Sequence, residues 1–175
     1  MERSKPIRFW PVLVAVVAMD ALTKSFAEHV LVPQRIPHDV LGEWLRFTLV
    51  YNPGAAFGLN IGDYSRQIFT VLTLGALAIL ARLYMGTREE ERMRVLALAL
   101  VVGGAVGNLI DRIRSPMGVV DFIDVGLADH RWPTFNVADV AVSMGAVCLA
   151  WVLWEEDRAT EATEDSPLRA GAPAP

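Results

Sequence analysis

Asp139 opens an apolar run, Val140 to Trp154, that carries no other charge. A second apolar run, Val95 to Ile110, stops at Asp111, and Asp121 follows after a short connector. Ionisable side chains at the ends of apolar spans are costly to bury and mark candidate functional sites. Paired carboxylates suit hydrolysis without a covalent intermediate. An ionised Asp takes a proton from water while a protonated partner polarises the scissile carbonyl. Such a pair shares one proton, because two close like charges cannot both ionise. Other nucleophiles are poorly served. Ser143 lies one turn deeper than Asp139, but no histidine occurs in the apolar runs to activate it. His29, His38 and His130 fall in connecting segments without metal-ligand spacing such as HExxH. Cys148, the single cysteine, lies within an apolar run and reads as a small packing residue.

The elements that must position these groups are membrane spans. The chain has 175 residues, 53% of them hydrophobic, and a mean hydropathy of +0.35, too apolar for an ordinary soluble domain of this size. Four apolar segments give spans at about 9–28, 66–84, 93–112 and 136–154. The first could pass for a cleaved signal peptide, since Arg3, Lys5 and Arg8 precede it. Asp20 and Lys24 follow instead of a small-x-small cleavage site, so it reads as a retained span. Dense basic charge in the N-terminal eight residues, and in Arg82, Arg88, Arg92 and Arg94 of the second connector, marks the cytoplasmic side. Both termini are therefore expected inside, and the first and third connectors outside.

The first outer connector is too long for a bare loop. Leu45, Phe47, Leu49 and Tyr51 alternate with Arg46, Thr48 and Val50, a strand pattern that Asn52-Pro53-Gly54 ends as a turn. The fold expected is an all-α membrane protein: four transmembrane helices in one domain, residues 1–154, with a small extracytoplasmic β-sheet. Leu31, Val32, Leu41, Trp44 and Leu45 are expected at the lipid interface. Residues 155–175 are acidic, then rich in Ala and Pro, and are expected to be a disordered cytoplasmic tail. No basic patch or nucleic-acid motif is present, so no nucleic-acid partner is expected.

On this topology the unusual polar residues gather at one membrane face: Asp20, Lys24, Asn52, Asn108, Asp111, Arg112, Asp121, Asn136 and Asp139. Each has an ordinary structural use. Asp20 and Lys24 are a favourable i,i+4 pair. Asn108 can hydrogen-bond between helices, and Gly103, Gly104 and Gly107 allow close helix approach. Asp111 and Arg112 suit an interfacial anchor. Asn136 is placed to cap the fourth span, with Asp139 in its first turn. Together, with the carboxylates of Asp121 and Asp139 left over, the cluster points to chemistry. A proton or ion transporter using Asp20, Lys24, Asp111 and Asp139 as a relay is the competing class, but the carboxylates form no path across the bilayer and no inverted repeat is visible. A structural membrane subunit leaves Asp121 unexplained.

The stretches Asp20-Ala-Leu-Thr-Lys24, Asn52-Pro-Gly-Ala-Ala-Phe-Gly58, Gly103-Gly-Ala-Val-Gly-Asn-Leu-Ile-Asp-Arg112, Val119-Val-Asp-Phe-Ile-Asp124 and Phe135-Asn-Val-Ala-Asp139 resemble, in order, those of the lipoprotein signal peptidases (signal peptidase II). The resemblance covers about Trp10 to Trp154. It implies a bacterial inner-membrane aspartic endopeptidase; a monomer is expected. Its substrates would be diacylglyceryl-modified prolipoproteins, held among membrane lipids and cut just before the lipidated cysteine. It implies Asp121 and Asp139 as the catalytic pair. Asp20, Lys24, Asn52, Gly54, Asn108, Asp111, Arg112 and Asn136 would bind substrate or support the site. No metal or organic cofactor is implied. Cys148 is far from the N-terminus, with Gly145 where a lipobox needs an apolar residue, so the chain reads as a processor of lipoproteins.

Overall fold

The computed structural model describes residues 4–54 and 62–170, and side chains only to residue 158 in the last helix. The segment Ala55 to Gly58 of the second motif lies outside the described residues. The chain forms α1 (Ser4–Val30), β1 (His38–Leu41), β2 (Leu45–Asn52), α2 (Ser65–Gly86), α3 (Arg92–Arg114), β3 (Val119–Leu127), β4 (His130–Arg131) and α4 (Val137–Ala170). Each of the four helices is long and apolar enough to cross a membrane. α3 is the central helix: α1, α2 and α4 all pack on it.

Glycines permit that packing. At Gly103 an added Cβ would meet Val16 of α1 at 3.0 Å. At Gly104 it would drive into the Ala138 carbonyl of α4, and at Gly145 it would come 2.8 Å from the Ala97 carbonyl. Small residues thus let backbones approach where apolar burial gives little drive between helices in lipid. We expect Gly104→Ala to lower stability in detergent by about 1–3 kcal/mol, read as a fall in melting temperature. Activity should fall with it, because the displaced carbonyl belongs to the residue before Asp139.

At one end of the bundle, β1 to β4 form an antiparallel sheet in that order. The alternation in residues 45–51 is indeed a strand. Its longest partner, β3, comes from the connector between α3 and α4, and the sequence reading did not mark it as a strand. The reason is its composition: buried Val119, Val120, Asp121 and Phe122 run without the alternation that a half-exposed strand shows. Val120 and Phe122 turn to a core with Leu49, Ala27 and Leu31. Leu31 is therefore buried beneath the sheet, not at the lipid surface, whereas Val32, Leu41 and Trp44 are exposed.

The opposite end holds the N-terminus and the α2–α3 connector. Lys5 Nζ donates to the Thr87 carbonyl at 2.7 Å, and Arg8 Nη1 to that of Glu89 at 3.0 Å. α4 does not stop at Trp154 but continues as helix to Ala170, where the sequence reading expected disorder from residue 155. Glu and Ala make up six of the ten residues 155–164 and favour helix. Arg94 also ties the extension to α3 through Glu156 at 3.2 Å.

Candidate active site

The sheet and three helices bring the polar residues together at the sheet end. Val50 of β2 pairs with Asp121 of β3. Asn52, two residues on, therefore lies on the same face as Asp121. Asn52 Nδ2 donates to Asp121 Oδ2 at 3.1 Å, and its Oδ1 accepts the Gly54 N–H at 3.0 Å, which starts the turn that ends β2.

Asn136 and Asp139 form a capping box at the start of α4. The Asp139 N–H donates to Asn136 Oδ1 at 2.9 Å, and the Asn136 N–H donates back to Asp139 Oδ2 at 3.1 Å. A further orphan N–H of that turn, Ala138, donates to Asp20 Oδ1 of α1 at 2.9 Å. Asp20 reaches it across Gly107, where a Cβ would stand 2.5 Å from Asp20 Oδ2.

Each carboxyl of the pair accepts two N–H donors. Asp121 takes Asn52 Nδ2 and, at 2.7 Å, Asn136 Nδ2. Asp139 takes the Asn136 N–H and, at 2.8 Å, Asn108 Nδ2. Asn136 thus donates to both. Asp121 is 3% exposed, and its pKa rises from 3.8 to about 7, first because burial penalises its charge and then because Asp139 repels it. The two carboxyls, with Asn52, Asn108 and Arg112, face a cavity of about 410 Å3. Trp132 to Phe135 form another wall, and Val140, Ser143 and Met144 continue it along α4. An arrangement of this kind can hold one proton between two acids beside a cavity that is open on one side.

Arg112 reaches the cavity from the last turn of α3. Its Nη2 donates to the Gly54 carbonyl at 3.0 Å and its Nη1 to the Asn108 carbonyl at 3.2 Å, while Nε is buried with no hydrogen-bond partner among the described residues. Asp20, Lys24 and Asp111 lie behind the cavity wall. Lys24 Nζ contacts Asp20 Oδ2 at 2.7 Å, Asp111 Oδ2 at 2.8 Å and Asn108 Oδ1 at 2.9 Å. Asp111 also accepts the Val120 N–H at 3.2 Å, and its Oδ1 pairs with Arg114 at 3.2 Å. Its Oδ2 thus holds α3 to α1 and β3, while its Oδ1 pairs within α3. All ten residues singled out in the sequence fall in this one region. The sequence reading missed the wall from Trp132 to Phe135, which carries no chemically distinctive side chain. It also missed the reach of Asp20 to α4, for which only the Gly107 spacing was a cue. Among the described residues, no group of three or more His, Cys, Asp or Glu side chains is placed to hold a metal ion.

Residues 12–155 match the family model for signal peptidase (SPase) II. This chain belongs to the signal peptidase II family. It is 39% identical over 154 residues to a lipoprotein signal peptidase of Geobacter metallireducens, covering 86% of this chain and 93% of that protein. It is 37% identical over 147 residues to one of Teredinibacter turnerae, covering 83% and 86%. Two solved structures, each described as a bacterial membrane enzyme, share its fold. One, at 2.3 Å resolution, has a TM-score of 0.73 with 28% identity and coverage of 83% of this chain and 87% of that one. The other, at 1.9 Å, has a TM-score of 0.70 with 29% identity and coverage of 81% and 89%. The signal peptidase II fold is thus a four-helix membrane bundle with a small antiparallel sheet over one end, and the family makes this chain a protease.

Proposed function

We propose that this protein is an intramembrane aspartic endopeptidase that removes signal peptides from diacylglyceryl-modified prolipoproteins, cutting just before the lipidated cysteine. The observation that carries the reading is the shared Asn136, which donates to Asp121 and Asp139 alike beside the cavity. The names of the related proteins support the substrate class.

In this reading Asp121 carries the shared proton, and Asp139, at the positive end of α4, carries the charge. A water between them gives a proton to Asp139 and attacks the scissile carbonyl, whose oxygen takes the proton of Asp121. Collapse of the tetrahedral species returns a proton to Asp121. Asp139 passes its own to the departing amine of the cysteine. The products are the signal peptide carboxyl and a free lipidated N-terminus. Arg112 and the amides of Asn52 and Asn108 would hold the substrate backbone in register. No metal or organic cofactor enters this scheme.

The site would lie at the extracytoplasmic face of the bacterial inner membrane, with both termini in the cytoplasm and a monomer sufficient for activity. Purified protein is expected to cleave a diacylated prolipoprotein in detergent, and failure with every such substrate would sink the proposal. Accessibility tags after Trp154 and within the Thr87 to Glu91 connector should report the cytoplasm. Tags near Asp39 and Asp129 should report the other side. An external Thr87 connector would put the carboxyls on the wrong face for an exported substrate.

A further inference from the structure

We propose that Lys24, which does not itself line the cavity, is a positioning residue that sets the hydrogen-bond polarity presented to both carboxyls. The inference rests on the aspartic reading above. An ammonium has three donors and no acceptor, whereas an amide side chain offers both. The three contacts of Lys24 Nζ go to Asp20, Asp111 and Asn108 Oδ1. Asn108 must therefore turn its oxygen to Lys24, which leaves Nδ2 for Asp139. The opposite orientation would set an amide NH2 against an ammonium and a carbonyl oxygen against a carboxylate. In a buried site both repulsions are strong.

The ordering passes one residue further. Asn108 Oδ1, held toward Lys24, also accepts Asn136 Nδ2 at 3.1 Å, the same group that donates to Asp121 Oδ1. One buried ammonium thus orients the amide that faces Asp139 and turns an acceptor toward the Asn136 amide that faces Asp121. Asp20 completes the frame. It anchors Lys24 through one oxygen and the Ala138 N–H through the other, so Lys24 and the first turn of α4 share a reference point.

A structural ion cluster would leave a similar picture, and the two roles separate by experiment. Replacing a whole buried ion network by neutral groups is often tolerated, whereas removing one partner strands the others. Lys24→Met alone strips Asp20 of its ion-pair partner among the described residues and leaves Asp111 with Arg114 only. The triple variant Asp20→Asn, Lys24→Met, Asp111→Asn keeps an oxygen for the Ala138 and Val120 N–H groups and removes the polarity-setting ammonium. We expect it to fold with a melting temperature near wild type. Its KM for a diacylated prolipoprotein should stay within about twofold, with kcat down about 100-fold through misoriented groups. A folded triple variant with kcat near wild type overturns the proposal, as does a loss carried by KM alone. A variant that does not fold assigns the cluster to stability and overturns it as well. Asp121→Asn is measured in parallel: if that variant remains active, the aspartic reading itself fails, a result separate from any outcome for Lys24.

Discussion

Asp121→Asn and Asp139→Asn are each expected to lower the cleavage rate by at least about 1,000-fold while leaving a folded, membrane-inserted protein. An amide keeps the shape of the acid but can neither take water's proton nor share one. Asp111→Asn should lose less, since both oxygens of Asp111 are engaged away from the cavity, with Lys24, Val120 and Arg114. The wild-type rate should fall as pH rises through about 7, where Asp121 gives up its proton. The same titration acts on stability. Below about pH 3.8 the group is protonated in both the folded and unfolded chains. Between there and about 7 the unfolded chain releases the proton and the folded one retains it. The fold therefore loses stability as pH rises across that window, by on the order of a few kcal/mol. Asp121→Asn lacks this group, so its stability relative to wild type should improve from pH 4 to pH 8. Melting curves in detergent at both pH values, beside rate measurements, check the two effects together. Near wild-type cleavage by Asp121→Asn would remove the assignment, and a pH-independent stability difference would place the shared proton elsewhere.

The spans could be read from sequence because each is a long apolar segment with few charges, and length alone sets the bilayer requirement. The polar cluster could be read because ionisable groups at span ends are costly to bury and here gather at one end of the spans. What could not be read is what faces what. β3 carries an acid among buried apolar residues, and only pairing with β2 tells that Asp121 and Asn52 share a face. Gly107 looked like one of several small packing residues, yet its particular effect is to open the path from Asp20 to Ala138. Helix propensity in residues 155–164 lost to the acidic, Pro-containing composition of the whole tail in the sequence reading. The structure follows the local propensity as far as Ala170. For β3 and Gly107 the missing information is a contact between segments distant in sequence.

The same prolipoprotein without its lipid is expected to be cleaved poorly or not at all. A carboxyl pair at the end of a membrane bundle can act only on a peptide bond held at that depth. The cavity wall contributed by α4 gives a physical route for such an anchor. Val140 and Met144 line it, and Val147 and Trp151 carry the same exposed apolar stripe onward toward the far end of the bundle. Acyl chains lying along that stripe would keep the glyceryl cysteine beside Asp121 and Asp139. Each buried methylene contributes about 0.8 kcal/mol, so two chains outweigh the few backbone hydrogen bonds that Asn52, Asn108 and Arg112 can offer, at about 1 kcal/mol each. Lipid burial then sets occupancy, while the amides and the guanidinium set register. The measurement compares lipidated and unlipidated forms of one substrate under identical detergent conditions, and then forms with shortened acyl chains. KM should rise as the chains shorten, with kcat changing less. Equal rates for the lipidated and unlipidated forms would mean that the site reads peptide alone, and the substrate class proposed here would fall even if the aspartic chemistry stood.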